Sequence, residues 1–92
     1  TQIMEVNSIY YNSDFERQFV KLPKNIQQKA VKSEVLFRAN PFHSSLRLHK
    51  LKGKLVGLWS ISIDRKYRII FRPQQNGDML FISIGLHAIY EG

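Results

Sequence analysis

The 92-residue chain contains no cysteine. Disulfides and thiolate metal sites are therefore excluded, and a reducing compartment suits it. Its three prolines and five glycines are scattered singly, so there is no linker, repeat or low-complexity segment. No apolar run approaches the ~20 residues that span a bilayer. No secretory leader is visible at the start, so the expected location is cytoplasmic, with no membrane partner. Acid is scarce: seven Asp and Glu stand against fourteen Lys and Arg, a net charge of +7. A basic chain of this size is suited to a polyanion or an acidic protein. What is abundant is apolar: 43% of residues, with six Phe, four Tyr and one Trp. That is enough for one core, and residues 1–92 read as a single domain.

Residues 3–11 alternate and are rich in β-formers, which predicts a first strand. Ser13, Asp14, Phe15 and Glu16 fit a capping box in which Ser13 is the cap. The following short helix carries Phe15, Phe19 and Leu22 on one face. Pro23 ends it and opens a second helix over 24–39. There Ile26, Ala30 and Phe37 form an apolar stripe that Val31 and Val35 are expected to widen. Asn40-Pro41 stops this helix. A loop over 42–45 leads to a short strand over 46–51 and a turn at Lys52-Gly53-Lys54.

Residues 57–64 alternate, with Trp59, Ile61 and Ile63 on one face and Ser60, Ser62 and Asp64 on the other. In the next strand, 67–72, Tyr67, Ile69 and Phe71 oppose Arg68, Ile70 and Arg72. Both apolar faces align only if the connection is the three-residue loop Asp64-Arg65-Lys66. Asn76-Gly77 marks a turn before a last strand over 79–84, which Gly85 is expected to break. The order β-α-α-β-β-β, with the short strand before Gly53 as an addition to it, is that of an α+β protein: a small, mostly antiparallel sheet with an N-terminal helical hairpin on one face. The other face is expected to be open and to carry Ser60, Ser62, Arg68 and Arg72.

The segment 46–72 holds eight of the fourteen Lys and Arg residues and one acid, Asp64. Arg68 and Arg72 sit ~13 Å apart on one face of a strand. Guanidinium groups held on a rigid sheet suit phosphate binding. Arg65 and Lys66 occupy the adjacent turn, and Lys50, Lys52 and Lys54 are expected to reach the same edge. Of the three histidines, His43 falls in a loop, while His49 and His87 are candidates for proton transfer. No histidine spacing suggests a metal site.

Segments His49-Lys50-Leu51-Lys52-Gly53, Tyr67-Arg68-Ile69-Ile70-Phe71 and Ile84-Gly85-Leu86-His87-Ala88-Ile89-Tyr90, in this order, resemble the RelE/ParE superfamily of toxins from bacterial type II toxin–antitoxin modules. The branch containing YafQ, with its H-x-L-K-G segment and terminal G-x-H, is the nearest in look. The resemblance implies a RelE-like fold and a metal-independent endoribonuclease without cofactor. Such a toxin cuts mRNA on the ribosome, by attack of a ribose 2′-OH on the adjacent phosphate. It implies catalytic roles for His87, Arg68 and His49. It also implies RNA or ribosome contacts for basic positions such as Lys52 and Lys54, and stacking by Tyr90; Lys50, Arg65, Lys66 and Arg72 join these as RNA or ribosome contacts. The chain departs from the YafQ pattern at two positions: Ser62 and Lys66 stand where that branch carries a catalytic histidine and aspartate.

The implied partners are a cognate antitoxin, in a toxin–antitoxin hetero-oligomer, and the ribosome with its mRNA. Two other readings remain open. One is a ParE-like inhibitor of DNA gyrase that cuts no RNA. The other is a non-catalytic basic module that binds nucleic acid or protein.

Overall fold

Asn12 starts the helical hairpin. It follows strand β1 (Ser8–Tyr11) in an extended conformation, and its side-chain oxygen accepts the Phe15 N–H at 2.8 Å. Helix α1 (Ser13–Val20) therefore begins one residue after the cap. The capping residue is Asn12 and not Ser13: the Asn12 side chain takes the Phe15 N–H, and the Glu16 N–H that a Ser13 cap would take donates to the Asn12 carbonyl at 3.2 Å. The computed structural model describes residues 5–86. Within it the elements after α1 are α2 (Lys24–Ala39), β2 (His49–Lys50), β3 (Trp59–Ser62), β4 (Tyr67–Pro73) and β5 (Asp78–Leu86).

Pro23 caps α2 from outside its first turn, with its carbonyl accepting the N–H groups of Ile26 and Gln27 at 2.9 and 3.0 Å. The two helices are tied by the side chain of Gln27. Its Nε2 lies 3.1, 3.3 and 3.1 Å from the carbonyl oxygens of Phe19, Val20 and Leu22. Those carbonyls lie at and just past the end of α1, where the helix runs out of N–H donors, although the Phe19 carbonyl also accepts the Leu22 N–H at 3.1 Å. Along α2, Ile26, Ala30, Ser33 and Phe37 are buried. Val31 and Val35 are 53% and 61% exposed. At 100° per residue they fall roughly 130° and 170° from the centre of the buried stripe, so they do not widen it.

The sheet has five strands in the order β1-β5-β4-β3-β2. β1 runs parallel to β5; the other pairs are antiparallel. Ser62 pairs with Arg68, and the Ile63 N–H donates to the Tyr67 carbonyl at 2.9 Å. The three-residue connection is thus present and aligns the apolar faces. The strand expected over 46–51 is reduced to His49–Lys50. Its first part is a single 3-10 turn, Ser44–Leu46, which buries Leu46. Gly85 does not break β5, because it pairs with Arg68 and the strand continues to Leu86.

One irregularity shapes the core. Ile70 faces Ser83 while Phe71 faces Phe81, so β5 holds an extra residue, Ile82, in a bulge. Strict alternation would turn Phe81 and Ile84 to opposite faces. The bulge lets both enter the core beside Met79. Phe37 and Phe71 then meet edge-on at 4.9 Å between centroids, with Phe81 at 5.8 and 6.1 Å from them. Past the end of β1, the open edge of β5 is closed by α1: the Gln18 side-chain oxygen accepts the Ile84 N–H at 2.9 Å. Ser33 of α2 donates to the Ser62 carbonyl at 3.4 Å and pins the helix to β3. Among the described residues, no helix is long and apolar enough to cross a membrane.

Gln27→Leu removes the donor that joins the helices and leaves half-buried carbonyls without it. Urea unfolding should show a loss of about 1–2 kcal/mol, with β-sheet content unchanged before the transition.

Candidate functional site

The face of the sheet away from the helices is built in rows set by strand register. His49, Ser60, Ile70 and Ser83 are successive cross-strand partners and form one row. Ser62, Arg68 and Gly85 form the next. Directly paired residues point to the same side, so His49 and Arg68 stand on one face in adjacent rows. His49 is exposed at the sheet edge, and Arg68 is half-buried.

Arg68 does not extend into solvent. Its Nε and one terminal nitrogen donate to Ser60 Oγ at 3.1 and 2.8 Å, and a terminal nitrogen donates to the Arg47 carbonyl at 3.2 Å. The guanidinium is laid across the sheet, and Ser60 beneath it is only 1% exposed. Ser62 is buried as well. The serines expected on an open surface are therefore covered, and Ser60 serves to orient Arg68. A planar, permanently charged fork held this way cannot be matched by an ammonium group.

The other basic candidates are distributed by the register. Lys50 pairs with Trp59 on the opposite face, with its ammonium 5.9 Å from the indole centroid. It does not reach the face of Arg68, because a one-residue step along a strand reverses side. Arg72 is exposed two rows from Arg68 on the same face. Lys52 and Lys54 lie in the connection between β2 and β3, which contains a 3-10 turn, Gly53–Leu55, at Arg72's end of the sheet. Arg65 and Lys66 occupy the turn between β3 and β4 at the other end. The expected single basic edge is thus two clusters flanking a central row. His87 and Tyr90 lie outside the described residues.

The β3–β4 turn is organised by Asp64. Its Oδ1 accepts the N–H groups of Lys66 and Tyr67 at 2.8 and 2.9 Å, and its Oδ2 lies 3.5 Å from Lys29 Nζ. Partial burial pushes its carboxyl upward, but the two backbone donors and Lys29 outweigh this and hold it below its usual value. On the helix side, Tyr11 donates to Glu34, which also takes Arg38 at 3.1 Å. Burial, then the Glu34 carboxylate, push the Tyr11 hydroxyl up to about 12.

Sequence reasoning missed Arg47. It follows the Ser44–Leu46 turn with φ 48° and ψ 52°, in the left-handed region. For a non-glycine residue this costs roughly 1–2 kcal/mol. Leu46, Arg47 and Leu48 read as strand alternation, which hid the turn; the adjacent Ser44-Ser45 pair was the available signal for it. His43 caps that turn, with Nδ1 accepting the Ser45 N–H at 3.2 Å. Ser44, Ser45, Arg47, Ser62, Asp64, Arg65 and Arg68 line a cavity of about 400 Å³ that is open to solvent. Among the described residues, no group of three or more His, Cys, Asp or Glu side chains could hold a metal ion.

The folded-state acidity of Asp64 is strengthened relative to the unfolded chain. Its contribution to stability is therefore full above the unfolded value and is lost as pH falls through the depressed folded one. Denaturant titrations between pH 7 and 3 should show a shallower acid decline for Asp64→Asn than for the parent chain.

No family model and no curated protein matches the chain. Solved structures do. A YoeB/ParE toxin from Agrobacterium tumefaciens aligns with a TM-score of 0.74 at 18% identity, covering 88% of this chain and 99% of its own. A chain of the RelBE2 toxin–antitoxin complex from Mycobacterium tuberculosis aligns at 0.77 and 18%, covering 96% and 99%. A chain of the DinJ–YafQ toxin–antitoxin complex from E. coli aligns at 0.70 and 20%, covering 98% and 100%. Two helices on a five-stranded, mostly antiparallel sheet, with strand order β1-β5-β4-β3-β2, are thus the fold that this chain shares with toxins of the RelE, YafQ and YoeB/ParE type.

Proposed function

We propose that this chain is the toxin of a type II toxin–antitoxin module and cuts mRNA on the ribosome. The observation that carries the reading is Arg68, fastened across Ser60 in the central part of the sheet with His49 in the adjacent row. A rigid guanidinium beside an exposed imidazole is suited to a reaction in which charge grows on a phosphate. The fold shared with solved toxins, two of them in complex with antitoxins, supports it.

In this reading the ribose 2′-OH loses its proton to a base and attacks the adjacent phosphorus. The bond to the 5′-oxygen breaks, and that oxygen receives a proton from an acid. The products are a 2′,3′-cyclic phosphate and a 5′-hydroxyl. Arg68 stabilises the charge on the phosphorane. His87 and His49 exchange the protons, with His87 the leading acid or base, and no metal or cofactor takes part. Arg65, Lys66, Arg72, Lys52 and Lys54 hold RNA or ribosome, and Tyr90 stacks on a base. Lys50, turned to the other side of the sheet edge, contacts ribosome and not the scissile group. Silence is kept by a cognate antitoxin, an acidic and partly disordered chain that folds on the basic surface.

A translation extract with a defined reporter mRNA tests this, with primer extension mapping new 5′ ends and a ribosome-free control. Cuts within the reading frame should require ribosomes. Arg68→Ala should slow them about 10²–10³-fold, the usual cost of losing one transition-state donor, and Arg68→Lys should restore only part. His87→Ala should weaken them too; unchanged cutting would move the proton transfer to His49. Intact mRNA with folded protein would sink the nuclease reading, and gyrase supercoiling would be assayed next.

A further inference from the structure

The cavity beside Arg68 has a wall built from two turns far apart in sequence. One is Ser44–Leu46 with Arg47 after it; the other carries Asp64 and Arg65. Arg47, Arg65 and Arg68 line it together with the residues Ser44, Ser45 and Ser62. Its one carboxylate, Asp64, is already engaged by the Lys66 and Tyr67 N–H groups and by Lys29 at 3.5 Å. Among the described residues, Arg47 and Arg65 are exposed and no carboxylate forms an ion pair with either. Like charges gathered around one small volume repel, and serine hydroxyls do not neutralise them. An oxyanion does, and guanidinium forks match its geometry.

Arg47 adds an independent observation. Its left-handed backbone, φ 48°, is strained for any residue with a side chain. Such strain persists where the surroundings over-determine it, often at ligand sites. Here the same conformation places the Arg47 carbonyl 3.2 Å from the Arg68 guanidinium and Arg47 itself on the cavity wall.

We propose that this cavity binds a phosphodiester group through Arg47 and Arg65, and that in the working protein this is the phosphate next along the RNA chain from the one at Arg68. That the phosphate belongs to RNA rests on the nuclease reading above; the phosphate site itself does not. The cavity shares Arg68 as a wall with the catalytic face, so a strand passing over His49 and Arg68 continues into it. Arg47 thereby becomes a substrate-positioning residue, and a substrate must extend beyond the cut bond to fill its site.

The test is calorimetric titration of the full chain with inorganic phosphate and with a 2′-O-methyl trinucleotide, whose blocked hydroxyls prevent cleavage. Both should bind saturably, the trinucleotide more tightly. Arg47→Gly removes the guanidinium while suiting the left-handed backbone, so its melting temperature should not fall. Its affinity for the trinucleotide should drop about tenfold or more, in keeping with loss of a charge-assisted bond. Arg47→Lys should fall between the two. Lys32→Ala, at an exposed position of α2 that does not line the cavity, should bind as the parent does. Wild-type affinity in Arg47→Gly, or equal weakening in Lys32→Ala, overturns the proposal. Phosphate binding with the expected pattern but uncut mRNA in the extract would retain the site and remove the nuclease reading. Cut mRNA with normal binding by Arg47→Gly would do the reverse.

Discussion

Strand β4 is hydrogen-bonded along both edges, to β3 on one side and β5 on the other. That double pairing fixes which way each of its side chains points. Ile69 and Phe71 enter the core, where they are 1% and 0% exposed, while Arg68 and Arg72 emerge on the far face. A slip of one residue would turn Arg68 and Arg72 into the core, where Ile69 and Phe71 now pack, and turn Phe71 out of it. The desolvation of an unpaired guanidinium makes such a slip prohibitive. The core and the candidate site are thus two sides of one register, and the burial of the aromatic cluster holds Arg68 in place.

Positive charge is carried on both layers. On the helices Asp14, Glu16 and Glu34 are outnumbered by Arg17, Lys24, Lys29, Lys32 and Arg38. The opposite face carries Arg68 and Arg72, with Arg65 at one end and Lys52 and Lys54 at the other. Asp64 lies among these cations, and its function is local: it ties the turn that presents Arg65. Ser60 has a comparable role for Arg68. Both residues decide where a cation is held.

The helices were legible because their signals are local. The spacing of Phe15, Phe19 and Leu22, the proline at 23 and the Asn40-Pro41 stop placed both, α2 with its observed extent and α1 running two residues past its observed end at Val20. The turn between β3 and β4 was legible because two alternating faces had to agree. Less legible were the features that depend on side chains meeting across the fold. The bulge at Ile82 is a correction to alternation that only the packing of Phe81 and Ile84 demands. The turn at Ser44–Leu46 was concealed by a strand-like run, and with it Arg47.

By itself, the sequence determined the element order, the sidedness of Arg68 and Arg72, the absence of thiol chemistry and the excess of positive charge. These follow from short-range periodicity and composition, which need no partner across the fold. Only the tertiary structure decided that Arg68 rests on Ser60, that Lys50 turns away to Trp59, and that Arg47 and Arg65 share a cavity. Each of these is a contact between segments brought together by strand pairing, and register at that range is set by how the whole core packs.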